Sequence, residues 1–172
     1  MLRTKLVFKC LCGFLALALG CFGCSGSSGK QDCQYGEPVA IFSPDLPNMI
    51  EHNFIQTEQI GREVMRFNNG LSVELTQSGC DEIVQEFRFQ LADSVFQGQI
   101  MDPLALAIGQ LAYMGSLGPS YQGFQEWARA LAEQKDDFKL AQPMELGPGI
   151  GATVDQIKGG GLTTIVLTFR SQ

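Results

Sequence analysis

The residues with the widest chemical repertoire in this sequence are six cysteines and a single histidine. The cysteines stand at Cys10, Cys12, Cys21, Cys24, Cys33 and Cys80. A thiol can be acylated, can bind a metal as the thiolate, or can pair in a disulfide, and its surroundings decide which of these occurs. Four of the six lie near the N-terminus, so this segment is considered first.

The N-terminus has the pattern of a secretory signal. Arg3, Lys5 and Lys9 precede an uninterrupted apolar or small stretch over residues 10–19, and no acidic residue occurs among them. The stretch is shorter than the ~20 apolar residues that a spanning helix needs. A charged start, a short apolar run and a small-residue exit predict a signal that is removed, with a buried core helix as the alternative.

The exit of this segment, Ala18-Leu19-Gly20-Cys21, resembles the lipobox of bacterial lipoproteins, although Ala18 stands where that motif usually has leucine. The resemblance implies cleavage after residue 20 and lipidation of Cys21; Cys24 is the alternative. Several acyl chains would attach the chain to a membrane stably, whereas one chain is marginal. The small polar residues 25–29 then predict a flexible tether, so that residues 21–32 form the lipidated, flexible N-terminus.

This resemblance implies a bacterial cell envelope location, lipid-anchored, in the outer membrane facing the periplasm if the organism is Gram-negative. Disulfides persist in such an exported, oxidising setting. We therefore expect Cys33 and Cys80 to be joined, with two buried free thiols as the alternative. On the chain-entropy model, a bond that closes a loop of this length would stabilise the domain by ~4 kcal/mol.

The other ionisable residues predict little catalysis. His52 is the only histidine, which excludes sites built from several histidines, and we expect it to be a surface or capping residue rather than a catalyst. Acidic pairs occur at Asp81-Glu82 and Asp136-Asp137, beside a predicted turn and a helix end. Separated carboxylates could still meet in a cleft, as in glycoside hydrolysis. Glu74 and Glu145 are two such separated carboxylates. We expect no cofactor and no metal.

Two further motifs have a structural and a functional interpretation. The glycine-rich segment 147–151 has features of a phosphate-binding loop, but a predicted strand follows it instead of a helix, so we interpret it as a turn. Tyr121, Phe124 and Trp127 form an aromatic stripe at helical spacing. Such a stripe is usually core, and the alternative is the wall of a ligand groove.

Length and charge limit the domain organisation and the partners. Residues 33–172 have the length of one domain with its own core. The formal net charge of the chain is -6, from 12 basic and 18 acidic residues. Because the mature part contains no cluster of Lys and Arg, we expect no nucleic acid partner. The partners we expect are the membrane, through the lipid anchor, and an envelope protein or small ligand.

The pattern of the first half predicts strands. We expect a short strand at residues 38–42, a break at 43–47, and an irregular segment or one helical turn at 48–56. Asn69-Gly70 predicts a hairpin turn, and the apolar residues Leu71, Val73 and Leu75 alternate with polar ones. With a further strand after Ser78-Gly79, residues 62–91 predict an antiparallel meander.

The second half predicts helices and then strands again. Asp102-Pro103 has the signature of a helix start, which predicts helices over 103–117 and 120–138. Strands follow at 139–146, 153–157 and 162–170, the last pair forming a hairpin, and the last strand is apolar enough to lie inside the sheet.

The predicted fold is therefore α+β: an antiparallel meander, an inserted helix pair and a C-terminal hairpin that completes the sheet. A β-sandwich or barrel with a helical insertion is the alternative. For function we expect an envelope lipoprotein that binds rather than catalyses. The alternative is a hydrolase of envelope polymers that uses paired carboxylates.

Overall fold

A computed structural model describes residues 35–79, 82–96 and 102–171. These residues form seven strands and two α-helices. The strands are β1 Met49–Thr57, β2 Ile60–Phe67, β3 Ser72–Ser78, β4 Ile83–Ala92, β5 Pro143–Gly147, β6 Ile150–Gly159 and β7 Leu162–Ser171; the helices are α1 Pro103–Ser116 and α2 Gly123–Glu133. The lipidation candidates Cys21 and Cys24, the tether, and both cysteines of the expected disulfide, Cys33 and Cys80, lie outside the described residues.

All seven strands belong to one antiparallel sheet, in the order β1-β2-β3-β4-β7-β6-β5. The sheet consists of two meanders, β1–β4 and β5–β7, which join where β4 pairs with β7 over ten residue pairs. The helices come between the two meanders in the chain. The α+β prediction is confirmed, and so is the interior position of the last strand.

One face of the sheet packs against the helices and forms the core. Along β3, Val73 and Leu75 are fully buried, and along β7 Ile165 and Leu167 are fully buried. Their neighbours in each strand are only partly buried, because successive side chains of a strand point to opposite faces. We call the face with the buried residues the inner face, and the other the outer face.

The first helix begins where the sequence predicted, and both helices turn their apolar faces toward the sheet. The side chain of Asp102 accepts a hydrogen bond from the backbone N–H of Leu104 at 3.0 Å, so that Asp102 caps α1 with Pro103 in the first turn. Leu104 and Leu111 of α1 are buried. The second helix is shorter than predicted, because residues 119–121 form a 3-10 turn before it and turns replace it after Glu133.

Two predictions for the N-terminal part of the domain were wrong. Residues 38–42 are not a strand; they belong to an irregular segment with turns, residues 35–47, that crosses the inner face without joining the sheet and that we call the strap. Residues 48–56 are not irregular, because Met49–Thr57 is the edge strand β1. The sequence of β1 shows no clear alternation of apolar and polar residues. The reason is that, among its middle residues, only His52 and Phe54 are partly buried and the others are exposed.

The turns of the second half were predicted more closely than the strand lengths. The segment 147–151 contains the turn between β5 and β6, and Gly160 and Gly161, both with positive φ, join β6 to β7. The strand expected at 139–146 is the shorter β5, Pro143–Gly147. Within the described ranges, the two helices fall short of the length and apolar character that a membrane crossing requires.

Candidate ligand-binding groove

The strap is held against the inner face by a buried carboxylate. Glu63 of β2 is 0% exposed, and its two oxygens accept hydrogen bonds from the backbone N–H groups of Ile41 and Phe42, both at 2.9 Å. Nε2 of His52 lies 2.7 Å from Oε1 of Glu63. Both carboxylate oxygens of Glu63 are therefore used by the backbone of the strap, and one of them also contacts the ring of His52.

Further contacts fix the strap along its length. The side chain of Gln77 donates to the carbonyl of Val39 at 2.9 Å, and the hydroxyl of Tyr121 accepts from the N–H of Ser43 at 3.1 Å. The ring of Phe42 stacks between the rings of Tyr121 and Phe124, with centroid distances of 5.2 and 5.5 Å.

The strap approaches the sheet closely at Gly61. A Cβ atom at Gly61 would lie 2.7 Å from Cβ of Pro38, which is closer than side chains pack, so glycine is needed where the two segments cross. The backbone of β2 and the strap are thereby in direct contact.

The position of His52 indicates a role in the fold. The histidine lies on β1, on the inner face beside β2, and its side chain is 12% exposed. It contributes to the buried network around Glu63 rather than to an open site. The sequence analysis missed Glu63, although the lone acid at an inner position between Gly61 and Met65 was a readable signal of a buried polar site.

Beside the strap, a groove runs between α2 and the end of the sheet where β4 begins and β7 ends. One cavity of ≈ 260 Å³ is lined by Ile41, Gln85, Ser120, Tyr121, Gly123, Phe124 and Trp127. The next cavity, of ≈ 310 Å³, is lined by Ile83, Gln85, Trp127, Ile150, Phe169, Arg170 and Ser171. The two cavities share Gln85 and Trp127, and we call them together the Trp127 groove.

Aromatic contacts hold the wall of this groove. The indole of Trp127 lies 4.1 Å from the ring of Phe169, measured between centroids, and makes an edge contact with Phe124 at 5.8 Å. Phe124 is buried, whereas Trp127 is only partly buried and lines both cavities. The stripe is therefore core at Phe124, as predicted, and at Trp127 it also borders two cavities; a ligand in them stays a hypothesis.

A third, more polar cavity of ≈ 490 Å³ adjoins the groove and shares Ile150 and Arg170 with it. Its wall includes Glu82, Glu145, Gly149 and Gly151. The glycine-rich turn at 147–151 thus borders a cavity, although a strand and not a helix follows it. Glu82 of the predicted acidic pair lies here, while its neighbour in sequence, Asp81, is outside the described residues.

The two carboxylates considered for a hydrolytic pair are far apart. Glu74 lies on β3 and Glu145 on β5, four strands further along the sheet. At a strand spacing of about 4.8 Å this corresponds to roughly 19 Å, well beyond the separation at which two carboxyl groups act on one glycosidic bond. This pair therefore cannot share a substrate bond.

Glu74 instead belongs to an ion pair on the outer face. Nε of Arg62 donates to Oε1 of Glu74 at 2.7 Å, and Nη2 of Arg62 donates to Oε2 at 2.8 Å. The hydrogen bond from Arg62 lowers the pKa of Glu74 below its ordinary value, although partial burial opposes the shift. The same contact raises the pKa of Arg62.

Among the described residues, the remaining acids are not grouped as metal ligands. Asp136 and Asp137 are exposed in the turns after α2. Across residues 35–79, 82–96 and 102–171, no three side chains of the His, Cys, Asp or Glu type come together as ion ligands would.

Comparisons of the chain with protein-family models, with curated proteins and with solved structures found no match.

Proposed function

We propose that this chain is a lipid-anchored envelope lipoprotein whose domain binds a ligand or partner in the Trp127 groove. The observation that carries the binding role is the groove wall: an aromatic surface of Trp127 over Phe169, open to a cavity of ≈ 310 Å³. Cavities of about 300–1,000 Å³ with mainly apolar walls and a few polar groups are the usual form of ligand sites.

The polar groups of the groove suit recognition. Gln85 lines both cavities of the groove and Arg170 stands at one end. An amide can donate and accept, and a guanidinium can bind a carboxylate with two parallel hydrogen bonds. A few such groups at an apolar wall orient a bound molecule.

A lipid anchor would support a binding role because it would raise the local concentration of the domain at the membrane. A lipid on Cys21, followed by the tether, would hold the domain near other membrane-bound molecules and raise its effective concentration against them. Weak binding in the groove would then suffice for occupancy.

In-cell photocrosslinking tests the groove because it captures an occupant of any chemical class. We would place a photoreactive benzoyl-phenylalanine at Gln85, inside the groove, and in a matched variant at Gln90 of the same strand on the outer face. After irradiation of intact cells, mass spectrometry should find a discrete adduct at position 85 and none at position 90. No adduct at 85, or equal adducts at both positions, would contradict the proposal.

Mass spectrometry of the membrane-extracted protein tests the anchor. We expect a processed N-terminus with a lipid adduct on Cys21, retained in the Cys24→Ser variant and lost in the Cys21→Ser variant. An intact signal, or soluble protein without lipid, would contradict the lipoprotein assignment. Lipid loss only in the Cys24 variant would move the anchor to Cys24.

One observation keeps a hydrolase as the second candidate: Glu82 and Glu145 line the same polar cavity. If they act as acid and base, then hydrolysis of peptidoglycan or model glycosides should disappear in both Glu82→Gln and Glu145→Gln and persist in Glu74→Gln, whose acid lies on another part of the sheet. The absence of turnover by the parent protein would remove this candidate.

A further inference from the structure

Three cavities on the inner face have one lining residue in common, Gln85. The two cavities of the Trp127 groove share it. A further cavity of ≈ 180 Å³, between the strap and the end of β3, shares Gln85 and also Ile83 with the groove. Gln85 pairs with Gln77 of β3 and with Phe169 of β7, both inner-face positions, so its side chain points to the inner face as well. A molecule that fills more than one of these cavities therefore contacts Gln85.

The amide of Gln85 has no hydrogen-bond partner among the described residues, and the residue is only partly buried. Its direct neighbour Gln77 is engaged, because it donates to the carbonyl of Val39 in the strap at 2.9 Å. An amide side chain can donate through its nitrogen and accept through its oxygen. Covering it with a purely apolar group would leave both atoms without a partner, which costs free energy. The complementary ligand therefore carries a donor and an acceptor where it meets Gln85.

On both sides of Gln85 the walls of the groove are apolar. Trp127 lines both cavities, and its ring centroid lies 4.1 Å from that of Phe169. The other apolar residues are Ile41, Tyr121 and Phe124 around the first cavity and Ile83 and Ile150 around the second. A ligand that uses the whole groove therefore has one apolar group on each side of a polar unit.

We infer that the Trp127 groove binds an extended peptide segment with apolar side chains at two positions separated by one residue. Side chains at positions i and i+2 of an extended chain point to the same side, so both can enter the groove. The residue between them offers one backbone N–H and one C=O. Oε1 of Gln85 accepts from that N–H, and Nε2 donates to that C=O. A hydrocarbon chain would fill the same cavities but would leave the amide unpaired.

This inference rests on the proposed binding role and names its ligand class. The test uses the full lipidated protein in phosphatidylcholine nanodiscs, because detergent would compete for an apolar groove. The probe is the uncharged peptide acetyl-Ser-Leu-Ser-Leu-Ser-amide. The chain has one tryptophan, and it lines the groove, so its emission should change on binding while calorimetry gives the affinity. The isomer acetyl-Ser-Leu-Leu-Ser-Ser-amide points its leucines to opposite sides and should bind about tenfold more weakly, because only one can enter the groove.

One change in the peptide and one in the protein test the contact to Gln85. In an ester analogue of the probe, an oxygen replaces the N–H of the central serine. Its affinity should be about tenfold lower, because Oε1 of Gln85 loses its donor. In Gln85→Met, the probe and its ester should bind equally, since methionine has a similar length and no amide. Gln90→Met, on the outer face of the same strand, is the matched control and should keep the difference. A difference that persists in Gln85→Met would overturn the contact.

Gly123 gives a test of the first cavity. It lines that cavity, and a Cβ atom there would meet nothing within 4 Å, so a larger residue can be accepted. In Gly123→Leu, the probe should bind no more tightly than acetyl-Ser-Leu-Ser-Ser-Ser-amide, because the new side chain takes the place of one leucine. Gly109→Leu, at an exposed position of α1 with the same open space, should keep the preference for two leucines. A preference that survives in Gly123→Leu would rule out the first cavity as a leucine site.

The failure of the peptide and the failure of the binding role give different results. Equal affinity for the two isomers would overturn the inferred spacing of the side chains. Binding of myristate but not of the probe, unchanged in Gln85→Met, would assign the groove to hydrocarbon chains and keep it as a binding site. Photocrosslinks at position 85 without binding of any peptide would likewise reject the peptide alone. No crosslink and no binding of peptide or myristate would reject both.

Discussion

Glu63 illustrates how a single buried residue can hold two segments together. A buried carboxyl group is costly unless hydrogen bonds replace its hydration, and three nitrogen atoms lie within hydrogen-bonding distance of this one. Two of these nitrogens belong to backbone N–H groups of the strap, which lacks strand partners of its own. The carboxylate thus replaces the hydrogen bonds that a neighbouring strand would supply.

We therefore expect replacement of Glu63 by leucine to lower the free energy of unfolding by about 3 kcal/mol, because it leaves the N–H groups of Ile41 and Phe42 buried without acceptors. Glu63→Gln keeps one oxygen and should lose less. Urea denaturation measures both, with the exposed Glu126→Leu as the control for added apolar surface. Equal stability of Glu63→Leu and the parent would show that the strap is not held by this residue.

The ion pair of Arg62 and Glu74 should make stability depend on pH in a defined direction. Its hydrogen bonds lower the pKa of Glu74 from the ordinary value of 4.5. The stabilisation is therefore complete well above pH 4.5 and is lost as the pH falls through the lowered pKa in the folded state. Because Arg62 is mostly exposed, the pair contributes only on the order of 0.5 kcal/mol.

Denaturation of the parent and of Glu74→Gln at several pH values measures this contribution. The parent should be the more stable at pH 7, the difference should shrink below about pH 4.5 as Glu74 becomes protonated, and added salt should reduce it at pH 7. Glu133→Gln, on the exposed side of α2, is the control. A difference that grows on acidification would contradict the assignment.

The site residues show what single positions in a sequence can predict. The position of Trp127 on an inward stripe was predictable, because helical periodicity places it on the same face as Phe124. The pairing of Arg170 and Glu145 with Gly151 was not, since it depends on the register of three strands that come together only in the sheet. The role of His52 depended likewise on its strand partner.

At the scale of elements, periodicity succeeded where one face is buried. The alternation after Asn69-Gly70 predicted β3, and the Asp102-Pro103 signature predicted the start of α1. It failed at β1 and at the strap, where burial does not alternate strongly. The edge strand keeps Ile50 and Ile55 largely exposed, so no apolar face marks it in the sequence. The strap contains apolar residues but forms no strand-to-strand hydrogen bonds. The side chains of Glu63 and Gln77 bond its backbone groups instead.

The turn between β3 and β4 has a strict glycine requirement. Gly79 has φ of +117°, and a Cβ atom there would overlap the carbonyl oxygen of Glu82. We expect Gly79→Ala to lower stability by about 2 kcal/mol or more, because it combines backbone strain with a steric overlap. Chemical denaturation measures the loss.

Gly70 is the matched control for this prediction. It also has positive φ, +85°, but a Cβ atom there would meet nothing within 4 Å. Gly70→Ala should therefore cost only the strain, about 1 kcal/mol. If the two alanine variants are equally stable, the overlap at Gly79 is relieved by movement of the turn, and the start of β4 is not fixed by it.

At the scale of the whole domain, the groove follows from the topology. Two meanders join at β4 and β7, and the helices that connect them in the chain cover the inner face. The strap covers the inner face on the side of β2 and β3, through Glu63 and Gln77. The Trp127 groove lies between these two covers, at the ends of β4 and β7. The sequence predicted the layers, but a gap between them appears only when the elements are assembled.

The expected disulfide between Cys33 and Cys80 would act on the domain as a whole. Both cysteines lie outside the described residues, so the bond stays a prediction from the sequence. In sequence, such a bond would link a residue just before the strap to a residue between β3 and β4. It would thereby add a covalent link to the hydrogen bonds by which Glu63 and Gln77 hold the strap on the sheet.

Alkylation of protein that is unfolded without reduction should therefore leave both cysteines unmodified, and reduction should make both reactive. Reduction should also lower the free energy of unfolding by about 4 kcal/mol, because it releases the closed loop in the unfolded chain. The Cys33→Ser, Cys80→Ser double variant should match the reduced protein and should not lose stability on reduction, which controls for effects of the reductant. Alkylation of both thiols in protein taken unreduced from the envelope would refute the bond, and the strap would then depend on its noncovalent contacts alone.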